Sequence, residues 1–144
     1  MIKVTVEVDV FPTENINKVK KALLNVFEPS SLKVMRKGIR RKIVAKGQGS
    51  MSLMKIYRKL REERILDTAR RYLKAGITNE NKIVFFIHKQ AAYVGVVSFC
   101  DSEIRSPLGH IKFEIETDDP KTLIDWLTPK TVRGVPIKEV PPPD

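Results

Sequence analysis

The sequence predicts an α+β fold, a two-layer sandwich with a largely antiparallel sheet covered on one face by helices. Three observations carry this. Apolar and polar residues alternate strictly near both ends, in Ile2, Val4, Val6, Val8, Val10 and again in Ile111, Phe113, Ile115. That period of two marks a strand with one buried and one wet face. Between such stretches lie segments with the 3.6-residue period of amphipathic helices. Glycine and proline fall between the segments and leave the order β-α-β-β-α(broken)-β-β-β-α. Residues 1–129 read as a single domain, and 130–144, ending in PPPD, as an extended or disordered tail.

In chain order, Pro12 stops the first strand and Thr13 is expected to cap a helix. Ile16, Val19, Leu23, Leu24 and Phe27 share one side of that helix, and Pro29 ends it. Strands around Leu32–Arg36 and Ile39–Lys46 follow, with a turn at Gly38. Gly47 and Gly49 read as a loose link. Thr78 to Lys82 is a polar loop, Ile83 to Ile87 an apolar strand, HKQAA a turn, and Tyr93 to Phe99 a returning strand. Asp101 to Gly109 reads as a loop. Asp119 before Pro120 is a strong helix start, and Leu123, Ile124, Trp126 and Leu127 supply that helix's apolar side.

Ser50 to Gly76 is the longest stretch without internal glycine or proline. Ser50 or Ser52 is expected to cap it, and Gly76 to take the left-handed position past its end. Its apolar residues do not hold one stripe. Leu53, Ile56, Tyr57 and Leu60 lie on one side, whereas Ile65, Leu66, Ala69, Tyr72 and Leu73 lie nearly opposite. Met51 and Met54 fit the second stripe. The expectation is two consecutive helices, or one sharply bent, with the break near Glu62, Glu63 and Arg64.

The net charge is +10. Between Lys33 and Lys74 there are 15 basic and 3 acidic side chains, a block whose field polyanions feel. The apolar runs are too short to span a bilayer, and the MIKVTVEVDV start has no signal-peptide core. One cysteine, Cys100, fits a reducing cytoplasm, and abundant lysine and arginine fit a thermophilic protein.

Four strings occur together: ILDTAR (Ile65 to Arg70), KQAAYVG (Lys89 to Gly95), SPLG (Ser106 to Gly109) and LIDWLTPKT (Leu123 to Thr131). Their order and spacing resemble a small archaeal family of uncharacterised proteins. That family is similar in fold to a ribosomal large-subunit protein that binds RNA, and is grouped with predicted RNA-binding proteins. The resemblance covers nearly the whole chain. It implies an α+β domain in an archaeal cytoplasm and brings no catalytic residue with it.

The chemistry legible in the residues points the same way. RKGIRRK, Arg36 to Lys42, has five cations in seven residues. The expected nucleic-acid surface comprises Arg36, Lys37, Arg40, Arg41 and Lys42, joined by Arg58, Lys59 and Arg61 of the following helix. Cross-strand pairing with Glu7, Asp9, Glu114 and Glu116 would neutralise part of it. Asp67, close to Arg64, Arg70 and Arg71, reads as the centre of an ion-pair ladder. Tyr57, Tyr72, Phe85, Phe86, Tyr93 and Phe99 read as core aromatics. His88, His110 and Cys100 lack zinc-site spacing, and GQGS lacks the lysine of a P-loop. The expectation is a non-catalytic RNA-binding domain with no cofactor, no metal and no membrane partner. The alternative is a homo-oligomeric scaffold or protein-interaction module, for instance a homodimer, with no nucleic-acid role.

Overall fold

The computed structural model describes residues 1–79, 81–101 and 109–143. The order is β1 (Ile2–Val10), α1 (Ile16–Val26), β2 (Ser31–Lys37), β3 (Arg40–Gln48), a 3-10 turn (Ser50–Leu53), α2 (Met54–Glu62) and α3 (Leu66–Ala75). Then come β4 (Ile77–Thr78), β5 (Lys82–His88), α4 (Lys89–Tyr93), β6 (Phe99–Cys100), β7 (His110–Thr117), α5 (Pro120–Leu127), β8 (Thr131–Val132) and β9 (Val135–Pro136).

The main sheet runs β2-β3-β1-β7-β5-β4, with β6 also on β5, and every pairing is antiparallel. The period-two strands explain the two layers. Ile2, Val4, Val6, Val8 and Val10 are buried, as are Ile43, Ala45, Ile83, Phe85, Ile87, Ile111, Phe113 and Ile115 on the neighbouring strands. Against this face pack Val19 and Leu23 of α1, Ile56 and Leu60 of α2, Ala69 and Leu73 of α3, and Trp126 and Leu127 of α5. Phe85 stacks on Phe113 at 4.9 Å, and Phe27 meets Phe113 edge-on. Burying one such large side chain contributes about 1.5–3 kcal/mol.

The expected break falls where the stripe changes sides. α2 ends at Glu62, α3 starts at Leu66, and Arg64 between them has φ 56°. Ile56 and Leu60 enter the core from one helix, Leu66, Ala69 and Leu73 from the next. Met54 packs on the core, but Met51 is 72% exposed.

Several local expectations are corrected. Asn15, not Thr13, caps α1, accepting from the Asn17 N–H at 2.8 Å. Leu24 is exposed rather than on the buried side. Gly47 is no loose link. It lies in β3, where a Cβ would come 2.8 Å from Ser52 Cβ and 2.9 Å from Phe27 Cζ. No serine side chain caps the Ser50 turn or α2; Ser52 Oγ donates instead to the Gly49 carbonyl. Gly76 has φ −88°, not a left-handed value, and its constraint is steric, because a Cβ would lie 2.0 Å from the Val84 carbonyl oxygen.

HKQAA is not a turn: His88 ends β5 and Lys89–Tyr93 form the short helix α4, and the strand expected from Tyr93 to Phe99 is absent until β6 starts at Phe99. Part of the backbone there is held by side chains of α2 and its C-cap, and the Ser98 carbonyl accepts from the His88 N–H of β5. Glu63 accepts from the Val97 N–H at 2.9 Å, and Lys59 Nζ donates to the Gly95 carbonyl at 2.6 Å. Pairing resumes at Phe99. The stretch from Lys130, expected extended or disordered, contains the β8–β9 hairpin, and Val140 packs against the core. The loop read across Asp101 to Gly109, with most of SPLG, lies outside the described residues.

Candidate nucleic-acid interface

The β2–β3 hairpin forms one end of the sheet, held on one side by β1. Gly38 makes its turn at φ 63°, a value that glycine adopts without steric cost. The register sets Arg36 opposite Arg41 and Lys37 opposite Arg40. Like charges face each other across the tip, an arrangement that costs stability unless water or an anion screens it. Arg36 and Arg40 are exposed and Arg41 is half-buried; the Lys37 side chain lies outside the described residues.

Compensation by the neighbouring strand is partial. Lys42 pairs with Asp9 in register and approaches Glu7 at 3.7 Å. Glu114 and Glu116 are drawn to Lys82 on the far side of β7, at 2.9 and 4.0 Å. Among the described residues, Arg36, Arg40 and Arg41 make no salt bridge. They line a concavity of about 450 Å³ together with Met35, Lys42, Val44 and the carboxylates of Glu7 and Asp9. Val34, Met35 and Ile39 place 40%, 57% and 83% exposed apolar side chains beside them.

The helical half of the expected surface is used differently. Arg61 forks onto Glu139, Nη2 to Oε1 at 2.7 Å and Nε to Oε2 at 3.0 Å. It also donates to the Trp126 and Leu127 carbonyls at the end of α5 and lies 3.4 Å over the Tyr57 ring. Arginine at a helix C-terminus satisfies carbonyls that have no helical partner. Lys59 is engaged with Gly95. Arg58 is exposed on α2. α2 packs on α1 and α3 in the helical layer, whereas the hairpin packs on β1. The structure therefore brings Arg36, Arg40, Arg41 and Lys42 together but does not bring Lys59 and Arg61 to them. Nothing in the spacing of RKLR distinguishes a solvated arginine from one that caps a distant helix.

The ladder around Asp67 is not formed. Asp67 accepts a hydrogen bond from the Thr131 hydroxyl, and Arg70 instead bonds Asp125 and the Thr128 carbonyl, each at 2.8 Å. Tyr57 stacks on Trp126, and Tyr72 and Phe85 pack on Phe99, as core aromatics do. Phe86 differs. It lies on the polar face of the sheet, opposite Lys112 and edge-on to His110 at 4.8 Å. The alternation in KIVFFIH carries that signal, since Phe86 shares parity with Lys82 and His88.

Burial lowers the His110 pKa from its ordinary value and raises that of the Cys100 thiol, which makes the thiol a poorer nucleophile. Lys89, 4% exposed, is held by Glu14 and the Asp9 carbonyl, at 2.9 and 2.7 Å. Among the described residues, no group of three His, Cys, Asp or Glu has metal-binding geometry, and no helix is long and apolar enough to cross a membrane.

A family model described as RNA binding matches residues 3–117. A UPF0201 protein of Sulfurisphaera tokodaii is 51% identical over 99% of this chain and 98% of its own length. A UPF0201 protein of Saccharolobus solfataricus is 50% identical, over 100% of this chain and 99% of its own. The crystal structure of the UPF0201 protein from Methanococcus jannaschii is similar with a TM-score of 0.83 at 35% identity, covering 94% of this chain and 99% of that one. With this degree of likeness along its length, the chain belongs to the archaeal UPF0201 family, whose matching family model carries the description RNA binding.

Proposed function

We propose that the chain is a non-catalytic RNA-binding domain and that the β2–β3 hairpin is its phosphate-contacting surface. The observation that carries this reading is the cluster of Arg36, Arg40 and Arg41 at the hairpin tip, with Arg36 opposite Arg41 and Arg40 opposite Lys37, and no salt bridge to any of the three arginines among the described residues. Guanidinium groups neutralise phosphates and release counterions, and their forked donors suit phosphate oxygens. The exposed Met35 and Ile39 add apolar surface on which sugars and base edges rest. The description of the family model as RNA binding supports the choice of polyanion. Lys59 and Arg61 drop out of the surface because their donors are already committed.

The test is a fluorescence-anisotropy titration of single-stranded and hairpin RNA with the full chain and the triple variant Arg36→Ala/Arg40→Ala/Arg41→Ala. The expected result is a loss of affinity of about tenfold or more, similar for every sequence, since phosphate contacts carry no base information. Unchanged affinity in the folded variant rejects the hairpin as the surface. Absence of RNA binding by the parent chain rejects the function and returns the oligomeric scaffold, which light scattering would then reveal.

A further inference from the structure

A second concavity lies at the opposite edge of the sheet, near β4. Five strand spacings separate β4 from β2 along the sheet, about 24 Å. This groove, of about 790 Å³, opens between α3, α5 and the tail. Its lining includes the apolar Ile77, Ile124, Pro129, Ile137 and Val140, of which Ile77 and Ile137 are exposed. Its rim carries Lys74, Lys121, Lys130 and Lys138. Much of it lies beyond residues 3–117, the region matched by the family model.

Among the described residues, the carboxylates near the groove each have another partner. Asp125, the acid in the lining, is held by Arg70 at 2.8 Å. Asp119 caps α5 and accepts from the Thr122 N–H at 3.2 Å, although Lys121 also feels its charge. Glu139 is forked by Arg61, and Asp67 is bonded by Thr131. Among the described residues the four lysines make no salt bridge. Apolar walls concentrate the field of such a ring into the concavity. A volume of this size falls within the range of small-molecule sites and exceeds what one inorganic phosphate fills. The groove thus suits an anion with a flat apolar body.

We propose that this groove binds a nucleoside phosphate, with the phosphate on the lysine rim and the base against the isoleucines. A free mononucleotide and the 5′-phosphorylated end of an RNA strand present the same chemistry. The site is separate from the hairpin and does not depend on RNA binding there.

The experiment uses the full chain and calorimetric titration with AMP, adenosine and inorganic phosphate. A second arm compares two single-stranded RNAs that differ only in a 5′-phosphate. The variants are Lys121→Ala/Lys130→Ala and, as an independent pair, Lys74→Ala/Lys138→Ala, all at exposed positions. Saturable AMP binding, at least about tenfold tighter than adenosine and weakened about tenfold or more in either pair, is the expected result for a free nucleotide. Silence toward AMP, with a preference for the 5′-phosphorylated RNA that both pairs abolish, assigns the groove to RNA ends. No AMP binding and no 5′-phosphate preference overturns the proposal, as does binding undiminished in both folded variants. The hairpin triple variant is expected to bind AMP like the parent, so failure of the groove and failure of the hairpin are read separately.

Discussion

Arg61 illustrates how a cation in a basic helix is withdrawn from ligand binding. Its side chain is 19% exposed, and its guanidinium joins α2, the end of α5 and Glu139 of the tail. Arg61→Ala leaves the Leu127 and Trp126 carbonyls and the Glu139 carboxylate without that donor. We expect a loss of about 1.5–3 kcal/mol, read from the urea midpoint, with only partial recovery in Arg61→Lys, which lacks the fork. The same contact sets a pH dependence. The Arg61 hydrogen bond holds the Glu139 carboxyl below the usual range, against the opposing effect of burial. A carboxylate with a lowered folded pKa stabilises fully above its unfolded pKa, about 4.3 for Glu, and loses that contribution as pH falls through the folded value. Protection factors for amide exchange in the tail, taken relative to the intrinsic rate at each pH, should therefore fall as the solution is acidified through that window, and Arg61→Ala should abolish the step. At Gly76 the sequence marks a glycine after a helix but not its reason, which is the Val84 carbonyl of another element. Gly76→Ala is expected to cost about 2–3 kcal/mol in chemical denaturation, because backbone rather than a flexible side chain must move.

At the scale of elements, the break between α2 and α3 was legible because a stripe that changes sides cannot face one core on a straight helix. The backbone that makes the break was not legible. Arg64 takes φ 56°, a conformation that costs a side-chain-bearing residue roughly 1–2 kcal/mol. Arg64→Gly relieves that strain against a smaller entropic penalty. The expected outcome is a net gain of about 0.5–1 kcal/mol and a higher Tm, whereas a loss would mean that the arginine makes a stabilising contact. The half-wet strands β1 and β7 were read nearly to the residue, since alternation records their two environments locally. The apolar run after Tyr93 misled, because Val97 and Gly95 satisfy their backbone through Glu63 and Lys59, more than thirty residues earlier in the chain. The ordered end of the tail escaped for a similar reason, since Glu139 is tied to Arg61 and Val140 to the core, both distant in sequence.

For the whole molecule, the sequence revealed the excess of positive charge and the sheet that carries it, but not how the cations divide. Folding spends Arg61 and Arg70 on joining helices and buries Lys89 with Glu14, while it gathers Arg36, Arg40 and Arg41 at the hairpin tip on the sheet's edge, without a salt bridge among the described residues. A residue count cannot separate these groups, because their partners come from other elements. If the hairpin arginines contact phosphate, they carry part of the salt dependence of RNA binding. The most direct measurement is RNA affinity as a function of salt concentration, for the parent chain and for Arg36→Ala/Arg40→Ala/Arg41→Ala. Each phosphate neutralised contributes roughly 0.7–0.9 to the slope of log affinity against log salt. The expected result is a steep slope for the parent and one flatter by roughly two in the variant, with the fold intact by circular dichroism. Equal slopes for parent and variant would contradict it.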